Sequence, residues 1–339
     1  MRETMPKLPT GKIPKELLTK YVFSCLGIPN KRVLKGPLIG EDAAVIDLGE
    51  TVLIAKANPI TGAEEKIGWL AVHINANDVA ARGAKPLWYM SIVLLPENSD
   101  ESLLETIMLE QHEACSELGI CVVGGHTEVT PGLGRPIVSG FMLGEASKTN
   151  YVTTGGANIG DQIILTKGVG IEGTGILAAD LRERLVGVSS ETLDNAVKLL
   201  DKISVVSEAE IASKLGGVTS MHTPTEGGVL NGLLEVSEAS GKGFKIYEKR
   251  LLIHPETREI CDELDIDPLR LLSSGSLLIV IDPTKSSELI EKLNEHGIPA
   301  QVIGEITSDS GIVVGLDGSE TFVSDVKQDE LFRVLEETT

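Results

Sequence analysis

The sequence is poor in aromatic residues and poor in basic residues relative to acidic ones. Aromatic residues make up 3% of the 339 residues, whereas hydrophobic residues make up 42%. The interior must therefore be built mainly from valine, isoleucine, leucine and alanine. The formal net charge is −20, with 30 basic residues against 50 acidic ones. This charge disfavours nucleic acid and anionic membranes as partners, because both would be repelled at long range.

Long apolar segments and paired cysteines are also missing. No stretch reaches the roughly 18 apolar residues of a membrane-spanning helix, and Met1–Gly11 has charges and prolines where a signal peptide needs an apolar run. We therefore expect a cytoplasmic protein that does not enter a membrane. The four cysteines show no C-x-x-C spacing, which predicts buried reduced thiols rather than a zinc site or a disulfide framework.

The length and the pattern of elements favour two α/β domains. The chain is long enough for two separate cores, and its 36 glycines indicate many turns and close backbone approaches. A polar, turn-rich stretch from Tyr151 to Asp161 interrupts the alternation of strands and helices. We therefore predict one domain at residues 1–150 and a second at residues 151–339. The first half should contain a long amphipathic helix at 102–118 and strands at 51–57, 87–95, 120–123 (short and buried) and 136–143.

The segment from Gly68 to Pro86 predicts a helix with two different faces. Gly83 should form a left-handed C-cap, and Pro86 prevents the helix from resuming. An ordinary ion pair between Asp78 and Arg82, worth about 0.3–0.5 kcal/mol, is the simplest explanation of its polar side; a functional site is the alternative. One face carries Ala71, Asn75, Asp78 and Arg82, and the other carries Ile67, Leu70, Ile74 and Ala81.

Acidic or polar turns lie next to three predicted strands. They are Glu41-Asp42, Ala57-Asn58-Pro59 and His126-Thr127-Glu128. Together with Asp78 they could converge at one end of a sheet, which is how oxygen ligands for a phosphate-bound Mg²⁺ are commonly gathered. Each turn taken singly is also explained by the preference of these residue types for turns.

A glycine-rich stretch follows the strand predicted at 162–166. Gly168, Gly170 and Gly173 have the G-x-G-x-x-G spacing, but the second strand and acidic residue of a dinucleotide fold do not follow. A loop that cradles phosphate at a helix N-terminus is the better interpretation, with Lys167 as the counter-charge.

A second helix start lies at the end of the stretch from His222 to Gly228, between a predicted strand and a predicted helix. Its free backbone N–H groups favour an anion. The carboxylate of Glu226 would compete for the same positive helix end, so capping and binding remain equally good explanations.

Taken together, these motifs resemble the AIR synthase-related (PurM-like) superfamily, and within it the hydrogenase expression/formation protein HypE. Residues 40–44 are similar to the Gly-Asp-Asp-Ala-Ala segment of the superfamily, and residues 77–86 to its Asn-Asp-(x)n-Gly-Ala-x-Pro motif. Residues 124–127 look like its Gly-Gly-Asp-Thr, and residues 223–228 like the Asp-Pro-Thr-Arg-Gly-Gly of HypE. The matches run in the same order over nearly the whole chain.

The resemblance implies an N-terminal sheet domain that forms a homodimer, a C-terminal α/β domain, and ATP with Mg²⁺ in the cleft between them. It also implies activation of a small substrate, not identified by the sequence, through phosphoryl transfer. Asp42 and Asp78 are the implied metal ligands, with Glu41 and Glu128 as substitutes. The implied catalytic residues are Asp78, Asn58 and His126. The implied nucleotide contacts are Lys56, Asn75, Lys167, Gly168, Gly170, Gly173, Thr225, Gly227 and Gly228.

Four residues depart from the pattern of the superfamily. Asn58 and His126 stand where it has metal-binding aspartates, and Thr223 and Glu226 replace the aspartate and arginine of the HypE motif. These changes should weaken Mg²⁺ and phosphate binding. The sequence ends at Thr339 without the cysteine on which HypE carries its carboxamide, so we do not expect the standard HypE reaction. A catalytically silent nucleotide- or partner-binding homologue and a thiamine-monophosphate kinase-like enzyme stay open as alternatives.

Overall fold

The computed structural model describes residues 8, 11–61, 63 and 65–336. The terminal stretches discussed above, residues 1–10 apart from residue 8, and residues 337–339, lie outside the described residues. The described residues form two sheets, one in each half of the chain, so the predicted mixed α/β fold of two domains is confirmed.

The first sheet has the strand order β1-β2-β3-β6-β4-β5. Its neighbours are antiparallel except for β4 and β5, which are parallel. The strands are β1 (Val33–Lys35), β2 (Ala44–Asp47), β3 (Thr51–Ile60), β4 (Lys85–Leu95), β5 (Cys121–Val129) and β6 (Ile137–Ser147).

The second sheet has the order β13-β12-β9-β11-β7-β10-β8, and here only the described pair β9 and β12 is parallel. Strands of the first sheet end at Ser147 and those of the second begin at Gln162, while the boundary between residues 150 and 151 remains a prediction. The strands are β7 (Gln162–Thr166), β8 (Val218–His222), β9 (Gly243–Tyr247), β10 (Leu278–Ile281), β11 (Ala300–Thr307), β12 (Gly311–Val314) and β13 (Glu320–Val323).

Ten α-helical segments accompany the sheets in the described chain, and none of them has the length and apolarity needed to cross a membrane. A π-helical turn, Leu18–Val22, follows the first one. The helices are α1 (Lys15–Leu17), α2 (Ile67–Ala80), α3 (Glu101–Leu118), α4 (Ile171–Asp180), α5 (Ser190–Val197), α6 (Val206–Leu215), α7 (Gly228–Ser240), α8 (Pro255–Leu264), α9 (Pro283–Glu295) and α10 (Glu330–Glu336).

Helix α2 lies at the centre of the molecule. One side packs on the first sheet through Val72, Ala76 and Val79, and another packs on α3. Leu70 and Ile74 belong to a second core cluster that also contains residues of α3 and α4. Because the helix is buried nearly all round, its polar side chains are carried into the interior, where they need hydrogen-bond partners. The predicted helix is confirmed. Gly83, which we expected to adopt the left-handed conformation after its end, has φ 72°.

The prediction for the strand near residue 120 is wrong in both length and burial. β5 runs from Cys121 to Val129, lies at the edge of the first sheet, and is exposed along its whole length. The expectation of buried thiols holds for Cys115 and Cys261, whereas Cys25 and Cys121 are exposed. All four are free thiols.

Candidate functional site

A cavity of about 1120 Å³ is lined by residues from both halves of the chain. The first half contributes a set of charged and polar side chains, and the second half contributes mainly carboxylates and hydroxyls. Apolar side chains of α10 complete the wall. The polar lining residues are Lys12, Glu41, Asp42, Lys56, Asn58, Thr61, Asp78, Arg135, Glu172, His222, Thr223, Thr225, Glu226, Glu235, Ser274 and Glu336.

Asp78 is held in this cavity by three side chains. Its Oδ2 accepts a hydrogen bond from Asn58 Nδ2 at 2.8 Å and lies 2.9 Å from Lys56 Nζ. Its Oδ1 accepts one from Thr223 Oγ1 at 2.5 Å. Lys56 and Asn58 are two residues apart on β3 and therefore share a face. Asn75 donates to the carbonyl oxygen of Asn58 at 3.2 Å, so it positions Asn58.

The expected ion pair between Asp78 and Arg82 is not formed. Arg82 lies beyond the end of α2 and is fully buried. Its Nη1 donates to Glu41 Oε2 at 2.9 Å, and its Nη2 donates to Asp42 Oδ2 at 3.2 Å. The guanidinium therefore neutralises two carboxylates that we predicted as metal ligands.

His222 joins Asp42 of the first half to Glu235 of the second. Its Nδ1 lies 2.9 Å from Asp42 Oδ2, and its Nε2 lies 2.7 Å from Glu235 Oε2. Burial alone would lower the pKa of His222, but the two carboxylates raise it to about 9. Burial opposes ionisation of Glu235 as well, yet Lys12 and His222 lower its pKa to about 2. The three residues form a buried charged chain across the cavity wall.

The glycine-rich stretch does not form the phosphate loop that we predicted. Helix α4 begins at Ile171, so Gly173 lies inside it. The amide of Gly170 donates to Ser273 Oγ, and that of Gly173 donates to the carbonyl oxygen of Leu272, both at 2.8 Å. These donors are therefore used within the protein. Gly168, Gly170 and Gly173 pack on residues 252–272, and none of the three lines the cavity in the described structure.

Lys167 also has a different role from the predicted one. Its Nζ lies 2.7 Å from Glu208 Oε1 and donates to the carbonyl oxygen of Lys202 at 2.9 Å. Burial lowers the pKa of Lys167. The ammonium is thus part of an internal ion pair and does not line the cavity in the described structure.

The backbone amides at the start of α7 are also hydrogen-bonded within the protein. Gly227 donates its amide to Asp329 Oδ2 at 2.6 Å, and Gly228 donates to the carbonyl oxygen of Thr225 at 3.0 Å. Among these predicted contacts, only the side chain of Thr225 faces the cavity, where its hydroxyl accepts a hydrogen bond from Lys12 Nζ at 3.2 Å. A carboxylate of the chain therefore stands where an anion was expected.

His126 and Glu128 lie apart from the cavity lining. They pair with each other on the exposed strand β5, with His126 Nε2 at 2.9 Å from Glu128 Oε2. Their assignment to the catalytic and metal sites stays a prediction.

Several residues of the site were not predicted from the sequence: Lys12, Glu172, Glu235 and Ser274. His222 belongs to a predicted stretch, but its contacts with two carboxylates were not predicted. A signal existed for Glu172, since it is the only charged residue between Gly168 and Ala178. His222 pairs with Asp42, which lies 180 residues away in the sequence, and no local sequence pattern predicts such a contact.

Metal binding by side chains alone is not supported in this cavity. Among the residues that the structure describes, no group of three or more His, Cys, Asp or Glu side chains is arranged to hold a metal ion. Asp78 remains available as one ligand through the second lone pair of Oδ1, because Asn58 and Lys56 both already contact Oδ2. The residues therefore fit a Mg²⁺ that arrives with phosphate oxygens, which is the way Mg²⁺ usually binds.

Known proteins resemble the chain over both halves. The model of the AIR synthase related protein N-terminal domain matches residues 40–146, and that of the C-terminal domain matches residues 158–317. A putative hydrogenase expression/formation protein of Methanocaldococcus jannaschii is 26% identical over 90% of this chain and 91% of its own length. Carbamoyl dehydratase HypE of Cupriavidus necator is 30% identical over 72% and 68%. A crystal structure of the hydrogenase maturation protein HypE in complex with ATP shares the fold, with a TM-score of 0.72, 20% identity and coverage of 96% and 98%. The chain belongs to the AIR synthase related family.

Proposed function

We propose that this protein is an ATP-dependent enzyme that activates or phosphorylates a small substrate by phosphoryl transfer. The observation that carries the proposal is the fixed position of Asp78 in the cavity, held by Lys56, Asn58 and Thr223. A carboxylate held beside a lysine can place a metal ion and a phosphate group next to each other. The relationship to HypE, of which one structure contains ATP, supports the same reading.

The cavity is suited to a nucleotide and a second molecule. Its volume of about 1120 Å³ exceeds the roughly 300–1,000 Å³ of an ordinary small-molecule site. Lys12, Lys56 and Arg135 line it and could pair with phosphate oxygens. Asp78 would hold Mg²⁺ together with phosphate oxygens, whereas Asp42 is already paired with Arg82 and His222. The ion, when bound, neutralises phosphate charge. The role of the chain is then to orient the phosphate and to exclude water.

A catalytically silent binding protein is the second candidate. It is favoured by the amides of Gly170, Gly173 and Gly227, which are used within the protein, and by the carboxylate of Glu226 in the cavity lining. A protein of this kind would bind nucleotide weakly and would not turn it over.

Calorimetric titration of ATP into the metal-stripped protein, with and without Mg²⁺, separates the two candidates. We expect binding that depends on Mg²⁺ and that Asp78→Ala abolishes. Asp47→Ala is the matched control, since Asp47 also pairs with a lysine, Lys148 at 2.7 Å, but on the surface. Turnover is then measured with amide, carboxylate and phosphate-ester acceptors, thiamine monophosphate included. Binding without turnover supports the silent homologue, and no binding by the unaltered chain refutes the proposal.

We further propose a homodimer formed through β5. The strand has no partner on its outer side among the described residues, and Val122, Val123 and Val129 are about half exposed on it. Long exposed edges with apolar side chains favour pairing with another strand. Sedimentation should give twice the chain mass of 36.1 kDa, and Val123→Lys should shift it toward the monomer. Val186→Lys, at a residue that is 86% exposed outside this strand, should leave the mass unchanged. A monomeric unaltered chain would contradict the proposal.

A further inference from the structure

Glu172 is a buried carboxylate that faces the cavity with an unused oxygen. The residue is 3% exposed, lies in the first turn of α4 and belongs to the cavity lining. Its Oε2 makes no hydrogen bond of ordinary geometry within the described chain, and neither does the hydroxyl of Ser274, which lies close enough to Glu172 to act on its carboxyl group and lines the same cavity. Because a buried carboxylate oxygen without a partner is costly, this pair indicates a ligand that donates hydrogen bonds.

The surroundings of Glu172 are negative. Asp329 and Glu226 both act on its carboxyl group electrostatically, and Glu226 also lines the cavity. The backbone amide of Lys12 donates to Glu226 Oε2 at 3.1 Å, whereas its ammonium is directed to Thr225 and to Glu235. A ligand that reaches Glu172 therefore meets two carboxylates and a hydroxyl, which are all acceptors when the acids are ionised.

An organic ammonium group fits this position better than a metal ion. The described residues contain no group of acidic, histidine or cysteine side chains that could hold a metal. Ile176, Leu272, Phe332 and Leu335 line the same cavity and would cover the hydrocarbon part of an amine. An ammonium supplies up to three hydrogen-bond donors, enough for Glu172, Ser274 and Glu226.

We propose that Glu172, with Ser274 and Glu226, binds the ammonium group of a small primary amine, and that the substrate of the enzyme is such an amine. The inference deepens the proposed function and rests on it, because it names the chemical class of the acceptor. The ammonium group holds the substrate in the cavity, and the group that reacts lies elsewhere on the substrate.

Two matched probes test the inference with the full-length protein. n-Pentylamine and 1-pentanol have the same apolar body and differ in the ammonium group, and ligand-observed NMR titration at pH 8 gives both dissociation constants. We expect the amine to bind at least about tenfold more tightly than the alcohol, since hydrogen bonds to charged groups are the stronger ones. Glu172→Gln should remove this preference. Glu110→Gln, at a half-buried glutamate outside the cavity lining, should keep it.

Each outcome decides the inference. Equal binding of the two probes by the unaltered chain, or an amine preference that persists in Glu172→Gln, would overturn it. Displacement of the amine by Mg²⁺ alone would assign the position to an inorganic cation and would also overturn it. If Glu172→Gln does not fold, Ser274→Ala takes its place and should reduce the preference at least threefold. ATP is titrated in parallel: a chain that binds ATP without preferring the amine refutes this inference alone, whereas a chain that binds no ATP refutes the proposed function.

Discussion

The buried charge of Glu172 predicts an unusual dependence of stability on pH. Burial, together with the negative charges of Asp329 and Glu226, raises the pKa of Glu172 from 4.5 to about 7. The folded protein thus holds this proton more tightly than the unfolded chain does. Its contribution to stability is complete below about pH 4.5 and is lost as the pH rises through about 7. Each pH unit between the two values corresponds to about 1.4 kcal/mol, so the ionised group should destabilise the fold by about 3 kcal/mol at pH 8.

Urea unfolding of the unaltered chain and of Glu172→Gln at pH 5, 6, 7 and 8 measures this effect. Integration between the two pKa values predicts that the unaltered chain loses about 2.5 kcal/mol relative to the variant between pH 5 and pH 8. Asp329 has a pKa raised by burial to about 7 and is present in both proteins, so only its coupling to Glu172 enters the difference. Glu183→Gln controls for the loss of an exposed carboxylate. A difference between the two proteins that stays constant with pH would refute the reasoning, whatever its size.

Two further predictions concern the packing around the cavity. Arg82→Met should lower the free energy of unfolding by about 3–5 kcal/mol, because it leaves the buried carboxylates of Glu41 and Asp42 without their guanidinium; urea denaturation measures it, and a loss below about 1 kcal/mol would contradict it. Gly173→Ala should destabilise by about 1–3 kcal/mol, since its Cβ would come within 2.5 Å of the Leu271 side chain. Gly134→Ala, which meets nothing within 4 Å, is the control in the same assay, and equal effects of the two glycine substitutions would exclude the steric explanation.

Local signals predicted much of the fold. The period of α2, the left-handed glycine after it and the strand alternation of β3 and β4 are set by neighbouring residues, and the structure has them close to where they were expected. β5 was misjudged because valines predict burial, whereas Val122 and Val123 are exposed in a single chain. Whether an edge strand is covered depends on a partner, and the local sequence does not encode that.

The site was predictable where its residues share an element, and not where they meet across the chain. Asn58 followed from a polar stretch beside one predicted strand, Lys56 from the resemblance to the superfamily, and Asp78 from one helix face. The glycine-rich stretch suggested phosphate binding because the backbone amides at the start of its helix were expected to have no partner within the protein. Its amides are used by residues 272 and 273, about 100 positions away, and Lys167 by Glu208. Tertiary packing decides whether such amides and lysines are already hydrogen-bonded within the protein.

The pair of Lys56 and Asp78 predicts that Mg²⁺ and ATP bind cooperatively. In the free chain Lys56 Nζ lies 2.9 Å from Asp78 Oδ2, so the ammonium repels a metal ion from the carboxylate. A phosphate group offers Lys56 another partner and thereby makes Asp78 available. We therefore expect Mg²⁺ alone to bind negligibly in calorimetry, and ATP and Mg²⁺ each to raise the affinity for the other by the same factor.

Lys56→Gln should change the affinities for Mg²⁺ and for ATP in opposite directions. Removal of the ammonium leaves the charge of Asp78 uncompensated by this lysine, so Mg²⁺ alone should now bind more tightly than to the unaltered chain. ATP should bind more weakly, because a phosphate partner is lost, and the coupling factor should fall toward one. Lys148→Gln breaks the equivalent surface pair with Asp47 and should change neither affinity. If Lys56→Gln weakens both ligands or leaves both unchanged, Lys56 does not exchange Asp78 for phosphate, and the pair serves only to hold the fold.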